Sequence, residues 1–384
     1  MRKLALLILT VLAVLPAAAQ DGSPGSQPDY YVKIPYENVN GKLIVTAMVN
    51  GVSQRFILDT GAPVSVSRKL AKQLHTTPVD TFLVSDQSGI SDSITSIMLK
   101  SVMLNDVSFQ NVPALVFDQS AFFDCFEVEG IIGSNMLRSS VVQFSTTDST
   151  IIITNNRSNL QLNERYATKL LFDDQNSPII QLRLGNSLVP FLFDSGSNEL
   201  LSLTDEHFDA LRQYSFFNVV DSACGSVSAG IFGAAQRSEL YRIRIPQLWI
   251  ANALMENTVA ITTSGSHSRM GSRILEHGLL TIDYANERFY FQPHEAVTNL
   301  NEKLWPVSLN LSNSGQLVVG TVWDGSITNI SSGNLITAVN GIGTQNHSYC
   351  SYMLQPVLPK GTLTAFLTVV DSSGTERELA IQKR

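Results

Sequence analysis

The chain has 384 residues, a formal net charge of −7, 44% hydrophobic residues and only 15% charged residues. Its length exceeds that of one compact domain, and its hydrophobic share is too small for a polytopic membrane protein. An acidic chain with no basic cluster argues against nucleic acid and anionic membrane surfaces as partners.

Residues 1–19 read as a secretory signal. Arg2 and Lys3 form a charged start, Leu4 to Leu15 form an apolar run shorter than a spanning helix, and Pro16-Ala17-Ala18-Ala19 offers small residues for cleavage. The protein is therefore expected to be exported, with no integral membrane segment after signal removal. Cys125, Cys224 and Cys350 allow one disulfide at most and leave one thiol over. There is no Cys-x-x-Cys, and the histidines lack metal-ligand spacing, so neither a metal nor a cofactor is expected.

From Tyr30 to about His294 the chain is mostly strand-like, with helical signals at Arg68 to Gln73 and Asp205 to Gln213. An internal repeat organises this stretch. The first copy runs Ile44 to Val49, an Asn50-Gly51 turn, then Phe56-Ile57-Leu58-Asp59-Thr60-Gly61-Ala62. The second runs Ile179 to Leu184, a Gly185-Asn186 turn, then Phe191-Leu192-Phe193-Asp194-Ser195-Gly196-Ser197. Ile131-Ile132-Gly133 with Leu137 in the first copy answers Arg269-Met270-Gly271 with Leu275 in the second. Each copy closes with a hairpin, Val142-Gln143-Phe144 to Ile151-Ile152-Ile153 and Ile282-Asp283-Tyr284 to Phe289-Tyr290-Phe291. The repeat divides the chain into residues 20–160 and 161–300, and a smaller strand-rich unit follows over 301–384.

An apolar strand that delivers Asp-Thr-Gly or Asp-Ser-Gly into a tight turn suits one chemistry. The apolar triplet fixes the strand, the carboxylate emerges at its end, and the glycine lets another backbone approach. The Thr60 and Ser195 hydroxyls are suited to bond across the interface. Two such loops about a pseudo-two-fold axis would bring Asp59 and Asp194 within hydrogen-bond contact. Like charges that close hold one proton between them, so one carboxyl takes a proton from water while the other polarises a carbonyl. Ser197 has a hydroxyl to offer Asp194 and Ala62 has none for Asp59, which predicts that Asp59 carries the shared proton.

Phe56 to Ala62, together with Gly130-Ile131-Ile132-Gly133-Ser134-Asn135-Met136-Leu137, resembles the retropepsin-like aspartic proteases, especially bacterial members. The second half resembles a diverged copy fused in tandem. The resemblance implies a mainly β protein with two pseudo-symmetric retropepsin-like β-barrel lobes and a cleft between them. It implies an aspartic endopeptidase with Asp59 and Asp194 as catalytic residues, supported by Thr60, Gly61, Ala62, Ser195, Gly196 and Ser197. Polypeptide substrates would lie extended along the cleft under hairpin flaps. Those flaps fall near Val84 to Ser93, with Ser88, Gly89 and Ile90, and near Cys224 to Gly233, with Gly230 and Ile231. A bacterial periplasm, the cell surface or secretion is the implied location. The alternative on the same scaffold is a non-catalytic exported protein that binds peptides. Arg269 departs from the family pattern, as does Glu199, which adds a carboxylate near the site. With only Gln20 to Asp29 before the first strand, no long basic pro-segment is expected.

Leu317 to Val322, Asp324-Gly325-Ser326 and Gly333 to Gly341 resemble a PDZ domain of bacterial envelope-protease type. The resemblance implies a small PDZ-like α+β domain over 301–384 that takes a peptide ligand by strand addition near Trp305-Pro306-Val307. Pro306 has no N–H to offer a terminal carboxylate there.

Overall fold

A computed structural model describes residues 29–384 apart from 86–90, 118–120, 226–228, 231–232, 235–237, 313, 346–347, 360 and 372. The signal segment therefore lies outside the described residues. The protein is mainly β, as its alternating and β-branched runs predict.

The strand Lys42–Val49 buries Leu43, Ile44, Val45, Ala47 and Val49. Asn50 and Gly51 both have positive φ, 46° and 87°, the geometry of a two-residue hairpin turn that matches strand twist. That turn returns the chain along Val52–Asp59. The first sheet has the strand order Glu37–Val39, Lys42–Val49, Val52–Asp59, Gly130–Gly133, Ser65–Ser67, Val107–Phe117, Ser91–Leu104, Pro78–Ser85. A further pairing of Lys42–Val49 with Ser91–Leu104 closes it into a barrel.

The second lobe repeats this order element by element: Pro178–Leu184, Ser187–Asp194, Arg269–Gly271, Leu201–Thr204, Ala253–Thr263, Ser238–Ile250, Asn218–Gly225. It closes through Pro178–Leu184 against Ser238–Ile250. Each lobe carries one short helix at the same point, Arg68–Gln73 and Asp205–Leu211, capped by the Ser67 and Thr204 hydroxyls.

The hairpins that end the two repeats lie side by side. Val141–Ser145 pairs antiparallel with Gly278–Asp283, and the buried Gln143 amide donates to the Thr281 hydroxyl at 2.8 Å. One apolar core runs through both lobes. At its centre Phe193 meets Phe144 of the first lobe edge-on at 5.8 Å and Phe289 of the second at 6.1 Å. Contacts of this kind add about 0.5–1.5 kcal/mol each beyond area burial. They fix the strand that ends in Asp194.

Past residue 300, Val307–Leu311, Leu317–Val322, Leu335–Val339, Thr364–Val370 and Glu376–Gln382 form a separate sheet with its own core around Val319, Ile336, Leu367 and Val369. This unit grips both lobes. Cys350 on the helix Tyr349–Leu354 is disulfide-bonded to Cys125 on the helix Ala121–Phe126, with Met353 and Leu354 packed against the apolar cluster that includes Phe123 and Phe126. On the other side Arg242 of the second lobe, 7% exposed, lies over the Trp323 ring at 4.1 Å and donates to the Trp305 carbonyl at 2.6 Å. Arg384 bridges Asp221 and Asp324. Replacing both Cys125 and Cys350 by Ser opens a link across 225 residues. The double variant should lose about 3 kcal/mol in urea unfolding; an unchanged midpoint would mean that packing alone carries the docking.

Candidate active site

Asp59 and Asp194 each end a strand that runs parallel to the glycine element of its own lobe. Asp59 aligns with Gly133 and Asp194 with Gly271. The glycines leave room for the turns. A Cβ on Gly133 would lie 2.3 Å from the Ala62 carbonyl oxygen, and one on Gly271 would lie 2.3 Å from that of Glu199.

The two turns interlock across the lobe interface. The Thr60 N–H donates to Ser195 Oγ at 3.0 Å, and the Ser195 N–H donates to Thr60 Oγ1 at 3.0 Å. Thr60 Oγ1 in turn donates to the Phe193 carbonyl at 2.7 Å, and Ser195 Oγ to the Leu58 carbonyl at 3.0 Å. Both side chains are fully buried, so all four bonds form away from competing water.

This lock brings each carboxyl against the glycine of the other turn. A Cβ on Gly61 would sit 2.7 Å from Asp194 Cγ, and one on Gly196 would sit 2.1 Å from Asp59 Oδ2. The Gly61 N–H donates to Asp59 Oδ1 at 2.8 Å, and the Ser197 N–H donates to Asp194 Oδ1 at 3.0 Å. The two carboxyls lie close enough for the charge of one to act on the other. Burial, and then the charge of Asp194, push Asp59 up to about 8, against the pull of Lys42. Such a pair keeps one proton across a wide pH range.

Three further ionisable groups crowd the pair. Arg269 Nε lies 3.5 Å from Asp194 Oδ2, and both side chains are 11% exposed. Glu199 is half-buried; burial raises its carboxyl above the usual range, Arg269 opposes that, and Asp194 adds to it. Lys42, at the start of its strand, donates to the Gly196 carbonyl and lies 5.8 Å from the Phe122 ring. Arg269 and Glu199 were visible as departures from pattern, but Lys42 was missed. Its only sequence signal is its place after the Asn40-Gly41 turn, which does not aim it at the cleft.

The hydroxyl asymmetry expected between Ser197 and Ala62 takes another form. Ser197 Oγ accepts from the Glu199 N–H at 3.4 Å, while a backbone N–H serves each aspartate equally well. Ala62 supplies its carbonyl to the Ser134 N–H at 3.0 Å, as Ser197 does to the Ser272 N–H at 2.8 Å. The charged side chain paired directly with one of the two carboxyls is Arg269, on Asp194.

Each lobe has a hairpin where a flap was expected. In the first, Ser85 pairs with Ser91, and Ser88, Gly89 and Ile90 lie outside the described residues. In the second, Gly225 pairs with Ser238 and Gly230 with Gly233; Ile231 lies outside the described residues. At the expected ligand edge of the C-terminal unit, the Trp305 carbonyl is taken by Arg242, and the Tyr352 hydroxyl donates to the Leu309 carbonyl at 3.0 Å. Among the described residues no group of His, Cys, Asp and Glu is arranged to hold a metal ion, and no helix is long and apolar enough to cross a membrane.

No curated protein matches the chain. Among solved structures it is similar to a retropepsin-like aspartic protease from Rickettsia conorii, at 20% identity and a TM-score of 0.26, over 33% of this chain and 93% of that one. It is also similar to Basic 7S globulin from soybean, at 10% identity and a TM-score of 0.38, over 69% of this chain and 95% of that one. The sequence around the first carboxyl carries the family signal: residues 45–136, from the strand before Asp59 to the turn of helix after Gly133, match the model of a family described as Aspartyl protease.

Proposed function

We propose that the protein is an exported aspartic endopeptidase in which Asp59 and Asp194 share one proton and activate water against a peptide bond. The observation that carries this reading is the reciprocal contact of the two turns, with Gly61 against Asp194 and Gly196 against Asp59. It gives two carboxyls one shared approach for a water and a carbonyl. One carboxylate takes a proton from the water as its oxygen bonds to the carbonyl carbon. The other gives its proton to the carbonyl oxygen. The resulting diol collapses as the amine leaves with a proton, and no covalent bond to the enzyme forms.

On this reading the polypeptide substrate lies extended between the lobes, under the hairpins that follow Ser85 and Gly225. Residues 1–19 direct export to a periplasm, the cell surface or the medium. The C-terminal unit is PDZ-like; a peptide ligand would have to displace the Tyr352 hydroxyl from the Leu309 carbonyl.

A non-catalytic peptide-binding role on the same scaffold is the second reading. What favours it is the pair of built-in cations, Arg269 on Asp194 and Lys42 on the Gly196 carbonyl. A mixed peptide library incubated with the signal-free chain from acid to neutral pH, beside Asp194→Asn, separates the two. Cleavage lost in the variant and blocked by a statine-type inhibitor is expected. Peptides that bind the folded protein uncut at every pH would leave only the second reading.

A further inference from the structure

The lobes match strand for strand, so a position where they differ in charge beside the carboxyls breaks a symmetry the fold otherwise keeps. In the first lobe Ile131 pairs with Ile57, two residues before Asp59. In the second Arg269 pairs with Leu192, two residues before Asp194. Side chains two apart along a strand share a face, so the guanidinium is carried toward Asp194 and reaches Oδ2 at 3.5 Å. Its strand is held between Ser187–Asp194 and Leu201–Thr204. The Ser268 hydroxyl, one residue earlier, accepts from the Thr204 N–H at 2.9 Å and contacts His207 Nδ1 at 2.8 Å. Arg269 is therefore fixed from both sides.

Resting on the aspartic-peptidase reading, we propose that Arg269 is a positioning residue that fixes the roles of the two carboxyls. It keeps Asp194 as the carboxylate that takes the proton from water and leaves the shared proton on Asp59, which acts as the acid. The cation that acts on Asp59 is Lys42, whose ammonium donates to the Gly196 backbone carbonyl. Beside the pair stand Glu199 as an acid and Lys42 and Arg269 as cations; Arg273 acts on Glu199, and His267 faces Arg269. Arg273 is engaged with Glu302, and the Tyr284 hydroxyl lies within electrostatic reach of Asp59.

The proton balance shows why Glu199 belongs with Arg269. In the forward step the Asp194 carboxylate gains the water proton and Asp59 loses its own, so the pair begins and ends with one negative charge. A guanidinium paired to Asp194 alone would oppose that gain. Glu199 gives the guanidinium a second carboxyl to face, so its charge is not stranded when Asp194 is protonated.

Two variants of the signal-free chain test this, Arg269→Met and Arg269→Lys. The positive charge favours the ionised pair, so its loss makes the first ionisation occur at higher pH. The acid limb of kcat/KM against pH should rise by about one to three pH units in Arg269→Met and stay within about half a unit in Arg269→Lys. The second readout needs no turnover: the carboxyl carbons of carbon-13-labelled aspartate, with Asp59 and Asp194 identified through their Asn variants, are titrated by NMR. The first ionisation of the pair should move upward in Arg269→Met, and in the wild type it should belong to Asp194. A first ionisation that belongs to Asp59, or one that is the same in wild type and Arg269→Met, overturns the proposal. If the wild type cleaves nothing, the peptidase reading fails by itself, and the titration still decides what Arg269 does.

Discussion

Asp59→Asn is expected to abolish peptide cleavage and, at neutral pH, to make the fold more stable. On the proposed peptidase reading Asp59 holds the shared proton, so the loss of cleavage should be at least about a thousandfold in kcat/KM. The gain in stability follows from linkage. Burial and the charge of Asp194 push Asp59 from 3.8 up to about 8 in the fold. The native state therefore binds more protons than the unfolded chain throughout that window. Stability associated with this group is fully present below pH 3.8 and is lost as pH rises through about 8. An amide does not ionise, so the variant escapes that loss. Each pH unit of the window is worth about 1.4 kcal/mol, so the gain near pH 7 is on the order of a few kcal/mol. Urea unfolding of wild type and variant at two pH values checks the sign: the gain should be small in acid and should grow toward neutrality. A gain that does not change with pH would mean that the fold places no burden on the ionised carboxyl.

Gly133→Ala should be among the most damaging single substitutions in the chain. Parallel pairing with Asp59 puts Gly133 directly under the turn that follows the carboxyl. A Cβ there would meet the Ala62 oxygen at 2.3 Å, the Pro63 carbonyl carbon at 2.3 Å and the Val64 nitrogen at 2.4 Å. All three are backbone atoms, so no side chain can swing aside. The turn cannot retreat either, because the Asn135 side chain accepts from the Val64 N–H at 2.8 Å and the Ser134 N–H donates to the Ala62 carbonyl at 3.0 Å. A loss of about 3–5 kcal/mol is expected, with activity falling as the turn shifts Asp59. Gly325→Ala is the control, since nothing lies within 4 Å of its Cβ position. Calorimetric melting of both variants decides it: Gly133→Ala should melt well below wild type and Gly325→Ala close to it. Equal melting temperatures would show that the strand and turn can part without cost.

The mainly β architecture was readable because the repeat is written in residues that have few alternatives. A glycine is required wherever one backbone passes under another, as at Gly133 and Gly271, and an apolar triplet is required to anchor each carboxyl-bearing strand. Those constraints fall at matched spacings in both halves, so the repeat and its elements could be taken from the sequence. What could not be read depends on contacts between parts distant in sequence. Three cysteines do not say which two pair, and Cys125 meets Cys350 where the C-terminal helix packs on an apolar cluster of the first lobe. Lys42 looks like an ordinary polar start to a strand until the second lobe brings the Gly196 carbonyl to it. Arg269 stood out as a break in an apolar pattern, but its partner became apparent only with Asp194 beside it. The hydroxyl of Ser197 was a reasonable source of asymmetry by residue type; the turn directs it to the Glu199 N–H instead.

The most direct test of the central claim is a single turnover of a cleaved peptide in water enriched in oxygen-18, with wild type and Asp194→Asn run side by side. Direct attack of water held by Asp59 and Asp194 predicts one heavy oxygen in the new carboxyl group, no trapped acyl-enzyme, and no product from the variant. Product that forms at the wild-type rate in Asp194→Asn, or a peptide left covalently attached to the protein, would contradict it.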